Sequence, residues 1–299
     1  MINEIADERK DYRIGMICAI TSMLIWGVLP IYWKMLIPID SYVIVLYRIV
    51  FSGITCGILA LKVYGTERIK EILKNKKTIA KLLAAGSLVT LNWSTYVYAV
   101  NSGQTIEASI GYYINPLVVC VLGIIFFKER PTKYKFISIV FACIGVLIML
   151  VHFMKLPAIA LTLAITFAIY AAIKKHLKLP AVLSLFYETF IFAAIGSVII
   201  IYLEATGQGA LHVCEPYQFG MLILTGVVSA TPLALFTMAT NRISLISIGI
   251  IEYIGPSISL LIGIFLFKEA FDLVQFIACA VIWTGLAFFT YGEVRTISP

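Results

Sequence analysis

The chain has 299 residues, of which 61% are hydrophobic and only 13% charged, whereas soluble domains carry about 25% charged residues. Apolar runs follow one another almost without polar stretches between them, which excludes a water-soluble globular core and leaves little room for a soluble domain. The net charge of +7 does not mark a nucleic-acid partner, because the lysines and arginines sit in short segments between apolar runs and form no stripe with interleaved aromatics.

Runs long enough to cross about 30 Å of hydrocarbon fall near 13–36, 41–63, 78–101, 105–127, 132–151, 157–175, 179–203, 217–240, 244–267 and 272–291. Irregular backbone cannot face lipid, and nothing alternates in the fashion of barrel strands, so the runs are expected to be helices. The expected fold is an all-α integral membrane protein of ten transmembrane helices. The first run carries Trp26, Tyr32 and Trp33 and has no small-residue cleavage site, so it reads as a retained span. Tyr32 and Trp33 at its end read as interface anchors.

Arg48 in the second span and Glu188 in the seventh each lie about two turns inside their own membrane face. They are read as structural intramembrane charges, tying peripheral helices to carbonyls or headgroups. Asn92 and Trp93 in the third span, with Trp26, Tyr112, Tyr113, Tyr170 and Tyr253, supply flat apolar contact and polar donors suited to an aromatic or amphipathic solute. In the fourth span Glu107, Gly111 and Asn115 recur at i, i+4 and i+8, on one helical face that could form a polar access path. Glu252, about eight residues into the ninth span, is an acid at membrane depth, where such a group is paired, protonated or facing water. It is the leading candidate for solute binding or proton coupling. Pro116 and Pro256 each free a backbone carbonyl within their spans and are candidate gating positions.

With the N-terminus inside, the cytoplasmic segments collect Arg9, Lys10, Arg13, the basic run from Lys62 to Lys81, Lys128, Arg130, Lys133, Lys135, Lys174, Lys175, Lys178, Arg242 and Arg295, and the other side only Lys34, Lys155 and Lys268. This asymmetry places both termini in the cytoplasm. The loop from Glu204 to Glu215 then lies outside as a solvated connector.

The chain also matches itself at an offset of 140 residues: Asn101 with Asn241, Tyr113-Ile114 with Tyr253-Ile254, Pro116 with Pro256, Gly123 with Gly263, Phe127-Lys128-Glu129 with Phe267-Lys268-Glu269, and Gly145 with Gly285. Matched Pro, Gly and Lys-Glu at one ungapped offset point to duplication. Because five spans separate equivalent positions, the halves 1–151 and 152–299 are inverted repeats around a central cavity. The register is broken at the midplane, where Tyr112 answers Glu252 and Asn115 answers Gly255.

The stretches Asn92-Trp93, Tyr98 to Asn101, Glu107-Ala108-Ser109, Gly111 to Pro116, Glu188-Thr189, Thr231-Pro232-Leu233, Tyr253 to Pro256 and Ile31 to Lys34 resemble the RarD-like, chloramphenicol-sensitive-protein branch of EamA-type transporters in the drug/metabolite transporter superfamily. The resemblance covers nearly the whole chain. It implies a bacterial inner membrane and a cavity lined mainly by helices one, three, four, six, eight and nine. Two positions depart from it: Tyr47 where the family usually has His, and Glu252 where it usually has Gln. The second replaces a neutral polar contact by an acid and bears on the solute.

The function expected is a permease or exporter that moves a small metabolite, amino-acid-like or drug-like solute by alternating access, with a proton as candidate coupling ion through Glu252 or Glu107. Membrane lipids are the other expected partner. The alternative is a non-transporting membrane receptor or a lipid- or solute-binding protein. An intramembrane enzyme finds no support: His152, His176 and His212 lie at span ends or loops and form no metal motif, and neither a nucleophile elbow nor a P-loop is present. Five of the six cysteines fall in apolar runs, so no disulfide framework, metal site or cofactor is expected.

Overall fold

The computed structural model describes residues 2–102, 105–153, 158–268 and 271–297. They form α1 (Ile2–Lys34), α2 (Ser41–Leu73), α3 (Lys76–Asn101), α4 (Thr105–Phe127), α5 (Lys133–Phe153), α6 (Ala158–Leu177), α7 (Ala181–Ala205), α8 (Pro216–Thr240), α9 (Leu245–Glu252), α10 (Ile254–Phe265) and α11 (Leu273–Ile297), and no strand occurs among the described residues. Among the described residues nine spans, counting Leu245–Phe265 as one, are long and apolar enough to cross a membrane. The remaining helix, α3, is as long but begins on Lys76, Lys77 and Lys81 and carries Asn92. It packs against α6 and α7 within the bundle.

Two breaks depart from smooth helices, and each has a local cause. Gly65 adopts a φ of 67° inside α2, a left-handed conformation that glycine takes without steric cost. The chain then continues as a charged helical segment in which Arg68 pairs with Glu71 at 2.6 Å. The basic run expected to be loop is thus partly helix. The second break separates α9 from α10 at Glu252 and Tyr253. Pro256 lacks the N–H that would bond the Glu252 carbonyl, so the ninth span opens one turn before the proline, as its position demands.

The packing has an internal correspondence. Helix α1 packs on α8 and α10 while α6 packs on α3 and α4; α2 packs on α7 and α8, and α7 on α2 and α3; α4 packs on α9 and α5 on α11. Each pairing maps onto another when the first five spans are exchanged for the last five. Lys128 and Lys268, 140 positions apart, both take positive φ, 53° and 58°. Tyr253 donates to the carbonyl of Tyr113, its partner in that register, at 3.2 Å.

The core draws on the central helices, with Met23, Val89, Trp93, Tyr170, Phe236 and Ile250 in one buried cluster. Apolar side chains such as Phe126, Val151, Val198, Phe265 and Leu273 are instead fully presented at the perimeter. An apolar belt of that extent needs a hydrocarbon solvent. At the crossing of α4 and α9, a Cβ on Gly249 would stand 2.5 Å from the Pro116 carbonyl oxygen. The two spans that carry Asn115 and Glu252 therefore meet backbone to backbone.

Candidate functional site

Arg48 leaves a peripheral helix and reaches the middle of the bundle. Its guanidinium carbon lies 3.7 Å from the ring centroid of Trp93 on α3 and 5.1 Å from that of Trp33 on α1. Its Nε donates to the Ser229 hydroxyl of α8 at 2.7 Å. Tyr96 and Tyr112, packed edge to face at 5.7 Å, lie near the guanidinium. Among the described residues no carboxylate pairs with it. Arg48 is half-buried, and Tyr112 and Tyr96 each keep 37% of their surface exposed. The partners are thus a hydroxyl and two indoles, not the carbonyls or headgroups expected. Trp33, expected in the interface belt, faces Arg48; it sits seven residues from Trp26 and so shares its helical face.

Nearer the chain termini a second aromatic group closes the middle of the bundle. Trp26 packs on Phe167 and Phe236, both at 5.7 Å, and Tyr170 stacks on Phe236 at 6.3 Å. Tyr170 is fully buried. Asn92 donates to the Leu163 carbonyl at 2.8 Å and to Thr166 at 3.0 Å, tying α3 to α6.

Glu252 and Asn115 meet at the broken ninth span. The Asn115 amide donates to Glu252 Oε2 at 2.7 Å, and both side chains are buried. The other two oxygens, Asn115 Oδ1 and Glu252 Oε1, have no hydrogen-bond partner among the described residues. Two neighbouring orphan acceptors are costly in an apolar setting. Tyr113 and Tyr253, by contrast, turn away from the Arg48 group: they join the buried cluster of α5 and α11, where the Tyr113 hydroxyl lies 3.6 Å from Cys279 Sγ. Gly111 faces Ala160 and Leu163 of α6 at contact distance, so its helical face is closed by packing and forms no open path. The side chain of Glu107 lies outside those the structure describes.

Glu188 ties α7 to α6. It pairs with Lys174, which the sequence places at the cytoplasmic end of the sixth span, and accepts from Ser184 at 2.5 Å and from Tyr170 at 3.2 Å. Lys174 is buried because α6 runs to Leu177 and the carboxylate offsets the desolvation of its ammonium. The signal was present: an acid within a span calls for a counter-charge within reach.

The end of the bundle that carries both termini is sealed by polar ties between early and late helices. Glu129 accepts from the backbone N–H groups of Leu245 and Ile246 at 2.9 and 3.0 Å, capping α9. Lys175 donates to the Ile243 carbonyl at 2.6 Å and lies 3.6 Å from Glu129. Arg242 pairs with Asp11 at 2.8 Å, and Glu293 with Lys135 at 3.1 Å and Tyr12 at 2.5 Å. Sequence reasoning noted Glu129 as part of a repeated triplet without assigning it this cap. At the opposite end, Tyr47 donates to Glu204 at 2.8 Å, so this departure from the family pattern points away from Arg48. There too, Asp272 bonds His152 at 2.9 Å; the Gln275 backbone, and then His152, hold the Asp272 carboxyl below its usual range. Among the described residues no cluster of His, Cys, Asp or Glu is arranged to hold a metal ion.

The pattern of the EamA-like transporter family matches residues 13–151. The uncharacterized transporter YojE of Bacillus subtilis is 34% identical over 96% of this chain and 97% of its own length. Protein RarD of Escherichia coli is 31% identical over 97% and 98%, and Protein RarD of Streptomyces exfoliatus 30% identical over 96% and 91%. A solved crystal structure, 16% identical in sequence, superposes with a TM-score of 0.70 over 93% of this chain and 97% of its own, which shows a shared fold.

Proposed function

Because the chain belongs to the EamA-like transporter family, in its RarD-like branch, we propose that it moves a small organic solute across a bacterial inner membrane by alternating access, with both termini cytoplasmic. The observation that carries this reading is the contrast between the two ends of the bundle. The terminal end is bolted by Glu129, Lys175 and Arg242, while Arg48, Tyr96 and Tyr112 stay partly open beyond the Trp26–Phe236 plug. That arrangement is a state open to the outside. The inverted halves, 1–151 and 152–299, supply the route to the opposite state, since each can take the shape of the other.

Trp93, Trp26, Tyr112 and Tyr96 give the solute an aromatic wall. Glu252 and Asn115 form the coupling element: a proton satisfies their two orphan oxygens, and its loss leaves a buried carboxylate beside a break in the ninth span. The two ionisation forms therefore favour different packings of α4 against α9. The test begins with a thermal-shift screen of amino acids, nucleosides and aromatic drugs on the purified chain. Liposomes holding the pure protein are then preloaded with an unlabelled solute that raised the melting temperature. Transient accumulation of the labelled solute is expected; a solute that stabilises the protein but never exchanges would leave a receptor and overturn transport.

A further inference from the structure

Among the charged side chains at membrane depth, Arg48 is arranged unlike the others. Glu188 has Lys174, and Glu252 has Asn115. Arg48 has a neutral hydroxyl and two indole faces, and no carboxylate among the described residues pairs with it. An intramembrane cation that is left half-buried beside exposed phenols faces water or a ligand. Stacking on Trp93 and donation from Nε to Ser229 fix the plane of the guanidinium, and its terminal N–H groups have no protein acceptor among the bonds described. A guanidinium held in plane by stacking is set to receive two oxygens side by side.

We infer that Arg48 anchors the carboxylate of an organic acid whose apolar or aromatic body lies against Trp93, Tyr96 and Tyr112. This inference rests on the transport reading for the existence of the cavity and adds the class of solute. Position supports it: Arg48 stands seven residues inside the start of α2, about 10 Å from that end at 1.5 Å per residue. The aromatic plug of Trp26, Phe167, Tyr170 and Phe236 gives the solute a floor on the terminal side. The half-open Tyr112 offers its hydroxyl to the same carboxylate. A neutral solute of equal shape leaves the guanidinium without an acceptor and binds more weakly for that reason.

The test uses the full chain in detergent, with benzoate, 3-phenylpropanoate and indole-3-acetate as probes and their primary amides as neutral controls. Quenching of tryptophan fluorescence and the melting temperature report binding, because Trp33 and Trp93 flank the guanidinium. At least one acid is expected to bind saturably and about tenfold or more tighter than its amide. In Arg48→Gln that preference should fall to within about threefold, and in Arg48→Lys, which keeps the charge but loses the fork, it should be reduced and not abolished. Equal binding of acids and amides by the unaltered chain, or an acid preference that survives in Arg48→Gln, would overturn the proposal. So would a melting-temperature rise given by phosphatidylglycerol and by none of the acids, which would assign the arginine to lipid headgroups. Counterflow separates the two readings: an acid preference that depends on Arg48 without exchange of any probe sustains the anchor and sinks transport, whereas exchange of amides and not acids does the reverse.

Discussion

Arg48 and Glu188 stand 140 positions apart, at equivalent points of the two halves, yet their surroundings are opposite. Glu188 is buried with Lys174, Ser184 and Tyr170 around it, so every charge and hydroxyl in that group has a protein partner. Arg48 is half-open, stacked on Trp93 and held by one serine. A charge matched within the protein fastens α6 to α7 whatever else is bound. A charge left with neutral partners in a partly open space is matched by something that comes and goes. The fold thus carries one charge site matched within the protein and one whose partners, among the described residues, are neutral.

The largest expected effect breaks the fixed member. Lys174→Met leaves Glu188 buried and unpaired and is expected to cost about 3–5 kcal/mol of stability, while Lys174→Met with Glu188→Leu should recover most of that loss. Thermal unfolding of the purified variants measures both, and a single variant as stable as the double one would contradict the pairing. Arg48→Gln removes a hydrogen bond and a cation–π contact, and so is expected to cost about 1–2 kcal/mol, well below the Lys174 variant. Its larger effect should be on acid binding, which separates the free site from the fixed one.

Glu252→Gln is expected to change stability by less than about 1 kcal/mol, because the new amide still accepts from Asn115 and adds the donor that Asn115 Oδ1 lacks. Solute exchange should continue but lose its dependence on pH. Exchange in this variant measured from pH 5.5 to 8.5 decides the matter, and a pH dependence that survives would sink the coupling role. The smallest effect belongs to Tyr47→Phe, which loses the bond to Glu204 at about 1 kcal/mol and leaves solute affinity unchanged, because that phenol points away from Arg48. A marked loss of affinity in Tyr47→Phe would mean that the family position, and not the geometry, decides what lines the site.

Much of this architecture is legible in the amino-acid sequence. Span lengths follow from the thickness of hydrocarbon, and the break before Pro256 from the missing N–H. The offset of 140 residues pairs Lys128 with Lys268, which share a positive φ, and Tyr113 with Tyr253, which share a hydrogen bond. The site is harder to read. A helix that is apolar nearly all round gives no periodic signal of its rotation, so the sequence does not say that Trp33 turns inward, that Tyr113 and Tyr253 turn toward α5 and α11, or that Arg48 passes inward to Trp93. Lys174 sits directly beside another lysine near a span end, and its burial depends on Glu188 from the next helix. Glu129 is conspicuous as part of a repeated triplet, but capping the N-terminus of α9 needs the fold to bring residues 129 and 245 together.

Alternating access requires one central space opened to one side at a time, and the accessibility of position 112 tests this most directly. Tyr112→Cys, in a chain whose six native cysteines are replaced by serine or alanine, is labelled with a membrane-impermeant thiol reagent from either face of oriented vesicles. Labelling is expected from the face opposite the termini. Adding Glu129→Gln, which weakens the cap on Leu245 and Ile246, should raise labelling from the terminal face and lower it from the other. Labelling that stays on one face whatever is done to Glu129 would contradict alternating access.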